Sequence, residues 1–155
     1  MKFDTREDIE APIDFVFAQV TDFAGLERAA MRRGAEVQRV DTKAGNGPGM
    51  AWDTTFELRG KTREMRLELS HYDPPNGIEL MTQSSNLNGK MMIELVAMSR
   101  GRTRVTMDFE LAPKNLSGKL LVQSLKLARK SLMSRIRDRM TAYAADIEQR
   151  YKRSA

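Results

Sequence analysis

The last quarter of the chain, roughly Ser117 to Lys152, has no proline and, after Gly118, no glycine, and it repeats apolar residues at three- and four-residue steps. Leu121, Leu125, Ala128, Leu132, Ile136, Met140, Tyr143, Ile147 and Tyr151 fall on one stripe of a helix. About 36 helical residues make a rod of about 54 Å, and a stripe that long needs an equally long partner to cover it. The stretch before it, Ala35 to Leu111, reads as successive strands. The expected solution is α+β: a curved antiparallel sheet folded around one long C-terminal helix.

The rest of the chain supplies the sheet and its interruptions. Residues 2 to 11 alternate as a half-buried strand, which Pro12 ends by opening a short helix through Val20. Asp22 caps a second short helix that Gly34 closes. Residues 35 to 42 form a weakly alternating strand, followed by the glycine-rich loop 44–49, which lacks the spacing of a phosphate-binding loop. Met50, Trp52, Thr54, Phe56 and Leu58 alternate with polar neighbours, and Met65, Leu67 and Leu69 do so in the return strand, which Asp73-Pro74-Pro75-Asn76-Gly77 ends. Strands over 78–84, 90–99 and 102–111 complete a meander. The expected order is β-α-α-β6-α in one domain over residues 1–155.

Composition excludes several kinds of function. There is no cysteine and one histidine, so disulfides, thiolate chemistry and a zinc site are not expected, and no metal or cofactor is assigned. The charged N-terminus MKFDTREDIE does not read as a signal peptide and no run approaches a membrane span, which points to a cytoplasmic protein. With 26 basic and 21 acidic residues the net charge of +5 is too mild to suggest DNA. The bases do gather on the C-terminal helix. Lys126, Arg129, Lys130 and Arg137 there read either as a solvated face or as a docking face for an anionic surface such as a membrane or a ribosome.

Candidate chemistry is sparse. Alternation with Met65, Leu67 and Leu69 would turn His71 inward at the rim of the sheet, and Glu7 and Arg63 are the other polar residues whose register could point them inside. No G-x-S-x-G elbow accompanies His71. The strand methionines Met50, Met65, Met81, Met91, Met92, Met98 and Met107 stand where β-branched residues are usual. They read either as core filling or as an adaptable apolar lining.

Three segments carry a family resemblance: Ile9-Glu10-Ala11-Pro12-Ile13-Asp14-Phe15-Val16-Phe17 running into Val20-Thr21-Asp22-Phe23, Gly47-Pro48-Gly49-Met50, and Tyr72-Asp73-Pro74-Pro75. With Gly101-Arg102-Thr103-Arg104-Val105-Thr106 and the terminal helix, the whole chain resembles the START-like (SRPBCC) superfamily, of the polyketide cyclase/dehydrase and lipid transport type. That resemblance implies a helix-grip fold with an apolar cavity between sheet and helix for a lipid, isoprenoid, quinone or polyketide-like ligand. Its motifs specify the fold and bring no catalytic set with them. The expected lining is Trp52, Thr54, Phe56, Met65, Leu67, Leu80, Thr82, Met91, Ile93 and Leu95 from the sheet, and Leu121, Leu125, Leu132 and Ile136 from the helix. Phe23, Leu26 and Met31 are the expected lid. The leading expectation is a non-catalytic binder. The alternatives are a cyclase or hydratase using His71, Glu7 or Tyr72, and an interaction module docking through the basic helix.

Overall fold

A computed structural model describes residues 1–154. The elements run β1 (Lys2–Ile9), α1 (Ile13–Val20), α2 (Phe23–Arg32), β2 (Glu36–Arg39), β3 (Ala51–Leu58), β4 (Lys61–Asp73), β5 (Gly77–Gln83), β6 (Leu87–Ser99), β7 (Arg102–Pro113), α3 (Leu116–Leu127) and α4 (Arg129–Ser154). The seven strands form one antiparallel sheet in the order β1-β7-β6-β5-β4-β3-β2. From β3 to β7 consecutive strands pair through short turns, as their punctuation predicts, β2 joins β3 across the glycine-rich loop, and the first strand closes against the last. Phe3 stands opposite Phe109 and Ile9 opposite Thr103. At the β3–β4 turn Arg59 and Gly60 both take positive φ, the two-residue hairpin geometry that suits the twist of the strands.

The expected boundaries shift in two places. The second strand is only four residues long, because its weak alternation gives it little apolar surface to bury. The turn before the sixth strand falls at Ser84 to Asn86 instead of Asn86 to Gly89. The Ser84 N–H donates to the Leu87 carbonyl at 2.9 Å, the Leu87 N–H donates back to Ser84 Oγ at 3.0 Å, and Leu87 to Gly89 extend the strand.

The larger correction concerns the terminal helix. It is not one rod but helices of 12 and 26 residues, separated at Ala128 (φ −96°, ψ 13°). No glycine or proline marks the break. Tertiary packing provides the reason: α3 lies along β7 and α4 along β1, so the chain changes direction between two strands of a twisted sheet. Arg129, the first residue after the break, donates to the Lys2 carbonyl at 2.9 Å and its guanidinium sits 6.0 Å over the Phe3 ring, fixing the start of α4 on β1.

The core is concentrated at one end of the sheet. Ile9, Ala11, Val16, Phe17, Met50, Leu69, Ala144 and Ile147 are buried there among α1, the glycine-rich loop and the C-terminal half of α4. Thr103, fully buried, donates its hydroxyl to the Ala11 carbonyl at 2.8 Å and ties β7 to the bend that follows β1. Toward the other end sheet and helices diverge, and side chains do not fill the space between them.

Candidate functional site

Two hollows open from that divergence. The inner one, about 290 Å³, lies under α2 and against the middle of α4. Its wall is Ile9, Val20, Phe23, Leu26, Ala30, Val37, Trp52, Leu67, Ile78, Leu80, Met91, Ile93, Val105, Met107 and Met140, with Glu7, Glu27, Thr54 and Tyr143 as its polar members. The outer one, about 1090 Å³, is a wide cleft between the far part of the sheet and the α3–α4 junction. Thr54, Met91 and Met107 border both, so the two are neighbouring compartments of one space under the helices.

Local structure accounts for how each wall is presented. Asp22 caps α2 by accepting from the Gly25 N–H at 3.2 Å, as its position before the helix predicts. The capped helix sets Phe23 against Trp52, with ring centroids 5.3 Å apart. Period-two alternation in β3 brings Trp52, Thr54 and Phe56 to the concave face and sends Asp53 outward, where Arg66 holds it at 2.8 Å. Asn115 caps α3 by accepting from the Gly118 N–H at 2.9 Å. Gly118 is required for a further reason: a Cβ there would collide with the Asn86 carbonyl, so α3 crosses the β5–β6 turn at backbone contact.

Of the expected lining residues, Trp52, Leu67, Leu80, Ile93, Phe23 and Leu26 border the inner hollow. Phe56, Met65, Thr82, Leu121, Leu125, Leu132 and Ile136 border the outer cleft, and Thr54 and Met91 border both. Two expectations are corrected. Leu95, 3% exposed and paired with Val105, is packed into the core instead of facing a hollow. Met31 is 47% exposed on the outside of α2, because the helix turns its inner face one residue earlier, at Ala30. The methionines divide: Met65, Met91 and Met107 face the hollows, Met50 is core, and Met81 and Met98 are exposed.

The polar candidates also divide. His71 is exposed, against the inward reading, because the register of β4 shifts between Leu69 and His71. The extra residue, Ser70, bonds to Glu79 and turns His71 to the outer face. Tyr72 leans on Phe17 and borders neither hollow. Arg63 reaches the outer cleft, its Nε donating to the Leu58 carbonyl at 3.1 Å. Glu7 does border the inner hollow, and one carboxylate oxygen accepts from Thr141 Oγ1 at 3.5 Å.

Sequence reasoning missed Glu27. It stands on α2 between Leu26 and Arg28 and has no local mark of importance, yet its Oε1 accepts from Trp52 Nε1 at 2.7 Å at the edge of the inner hollow. Tyr143, expected only as part of the helix stripe, donates its hydroxyl to the Gln19 carbonyl at 3.2 Å, and burial pushes its pKa up to about 12. Among the described residues no group of His, Cys, Asp or Glu is arranged to hold a metal ion, and no helix is long and apolar enough to cross a membrane. None of their buried side-chain polar atoms lacks a hydrogen-bond partner.

Comparison with known proteins fits this architecture. A family model described as polyketide cyclase / dehydrase and lipid transport matches residues 1–148. Among solved structures the chain is similar to the Zhui aromatase/cyclase from Streptomyces sp. R1128, with 13% identity over 97% of this chain and 94% of that one and a TM-score of 0.69. It is also similar to a START superfamily protein from Mycobacterium smegmatis (13% identity, 99% of each chain, TM-score 0.61). A third likeness is to an HSP90 activator from Plasmodium falciparum (18% identity, 74% of this chain and 76% of that one, TM-score 0.52). At these identities the likenesses establish the fold. A sequence search of curated proteins returns no match.

Proposed function

The chain belongs to the polyketide cyclase/dehydrase and lipid transport family, and from that premise we propose that it binds a hydrophobic small molecule between sheet and helices without transforming it. The observation that carries this reading is the inner hollow: about 290 Å³ walled almost wholly by apolar side chains. An apolar wall of that kind left facing water is unfavourable, by about 25 cal/mol for each Å² of apolar surface. A ligand that fills the hollow recovers part of that cost. At about 25 cal/mol per Å², burying a few hundred Å² of apolar ligand surface supplies several kcal/mol, enough for micromolar affinity after the cost of association.

The volume limits the ligand's buried part to a small aromatic or a short aliphatic segment, and the outer cleft offers room for a larger remainder. The polar wall groups favour binding over chemistry. Thr54 donates to the Met65 carbonyl, Tyr143 to the Gln19 carbonyl, and Glu27 accepts from Trp52. One observation favours a second reading, a cyclase- or hydratase-type enzyme: Glu7 brings a carboxylate to the hollow, where a general base would stand.

A single experiment separates the two. Trp52 is the sole tryptophan and lines the hollow, so its fluorescence reports occupancy. A panel of quinones, fatty acids and polyketide-like aromatics is titrated against it, and each mixture is then examined by mass spectrometry. Quenching with unchanged ligand supports the binder. Quenching followed by a product supports the enzyme, and no response from any member sinks both.

A further inference from the structure

The outer face of α3 is apolar where a surface helix should be polar. Leu116, Leu120 and Leu127 are 72%, 60% and 92% exposed, and their spacing puts them on one stripe, while Gly118, Leu121, Val122 and Leu125 make the buried face. Lys119 and Lys126 follow about a quarter-turn to one side, and Lys130 stands just beyond the end of the helix, while Lys114 before its start is held by the Ser84 carbonyl at 2.9 Å. No Asp or Glu occurs between Glu110 and Asp138. Arg129, the strongest base in this region, is held by Lys2 and Phe3 and does not belong to the patch.

The helix is also placed across the molecule in a particular way. At its start Asn115 donates to the Ser85 carbonyl at 3.1 Å, and Asn86 donates to Ser117 Oγ at 3.3 Å. Near its end the Ser124 carbonyl accepts from the Arg59 guanidinium at 2.8 Å. So α3 is strapped from the β5–β6 turn to the β3–β4 turn, with Leu121 and Leu125 facing the outer cleft and the three leucines facing away from it.

We propose that α3 is an interfacial helix that seats the protein on an anionic lipid surface, its leucines entering the acyl boundary and its lysines meeting lipid phosphates. A helix of 12 residues is too short to span a bilayer, and an apolar stripe with basic flanks is the pattern of a segment that lies in the membrane plane. The lysine stems reach along the leucines while their ammonium groups stay at headgroup level. Charge decides between this occupant and a second copy of the chain, because two copies meeting through α3 would oppose lysines to lysines, and the helix itself carries no acid to neutralise them. Docking in this way holds the cover of the outer cleft against the bilayer. The proposal does not depend on the ligand reading above.

The test is co-sedimentation of the full chain with vesicles of phosphatidylcholine alone and with vesicles of equal parts phosphatidylcholine and phosphatidylglycerol. The protein is expected to partition onto the anionic vesicles and not the neutral ones, and to be released by high salt. The combined variant Leu116→Ser, Leu120→Ser, Leu127→Ser is expected to lose about 100-fold or more in partitioning. Lys119→Gln with Lys126→Gln is expected to lose about 30-fold at low salt. All five positions are exposed, and unchanged circular dichroism and melting temperature establish that the variants fold. No partitioning by the unsubstituted chain, or equal partitioning by the leucine variant, overturns the proposal. A dimer that the leucine variant converts to monomer without any vesicle binding overturns it as well, in favour of a second copy.

Discussion

Replacing Ala30 by Phe tests whether the inner hollow is both empty and the place of binding. Ala30 lies on the inner face of α2 and borders the hollow, so a phenyl ring there points into unoccupied space instead of into packed side chains. If the ring removes about 100 Å² of apolar surface from water, the gain is about 2 kcal/mol at about 25 cal/mol per Å². Phenylalanine is a poorer helix former than alanine by about 0.5 kcal/mol, and imperfect fit removes a similar amount. The net expectation is about 1 kcal/mol of stabilisation, a rise in melting temperature of about 2–4 °C for a chain of this length. The same ring leaves too little room for a ligand, so the Trp52 fluorescence response to any ligand found for the unsubstituted chain should vanish. A fall in melting temperature of that size would show that the space is already filled. An undiminished Trp52 titration would show that ligands bind elsewhere.

Two further outcomes follow from single contacts. Thr103→Val keeps the shape of a fully buried side chain but leaves the Ala11 carbonyl without its donor, and chemical denaturation should register a loss of about 1–3 kcal/mol. Tyr143 titrates near 12 in the folded chain because of burial, against about 10 when unfolded. A folded pKa raised above the unfolded one gives stability that is whole below about pH 10 and is lost as pH climbs toward about 12, at most about 2–3 kcal/mol. Tyr143→Phe should flatten that alkaline limb in unfolding measured across the range, and an unchanged limb would refute the assignment.

Most of the architecture was legible because local chemistry and tertiary placement agree. The alternation around Trp52, the turn residues from Asp73 to Gly77 and the cap at Asp22 each specify the element that the fold then uses. The strand residues that border the hollows were legible for the same reason: in an antiparallel sheet, alternation decides which side chains share the concave face. His71 defeated that reasoning because a bulge, invisible in the hydrophobic pattern, shifts everything after Ser70 by one residue. Leu95 defeated it differently. It does face the helices, but at the packed end of the sheet, and alternation says nothing about where along a strand the layers part.

The sequence by itself determined the order of the strands and short helices, the faces of the strands apart from the bulge at Ser70, and the apolar stripe of the C-terminal segment, since these depend on periods of two and 3.6 residues and on turn chemistry within a few positions. Only the tertiary structure decided that the stripe breaks at Ala128, that the space under it divides at Thr54, Met91 and Met107, that Glu27 meets Trp52 and that three leucines of α3 are left facing outward. Each of those depends on how the twisted sheet meets the helices packed on it, a relation between residues far apart in the chain that no local pattern encodes.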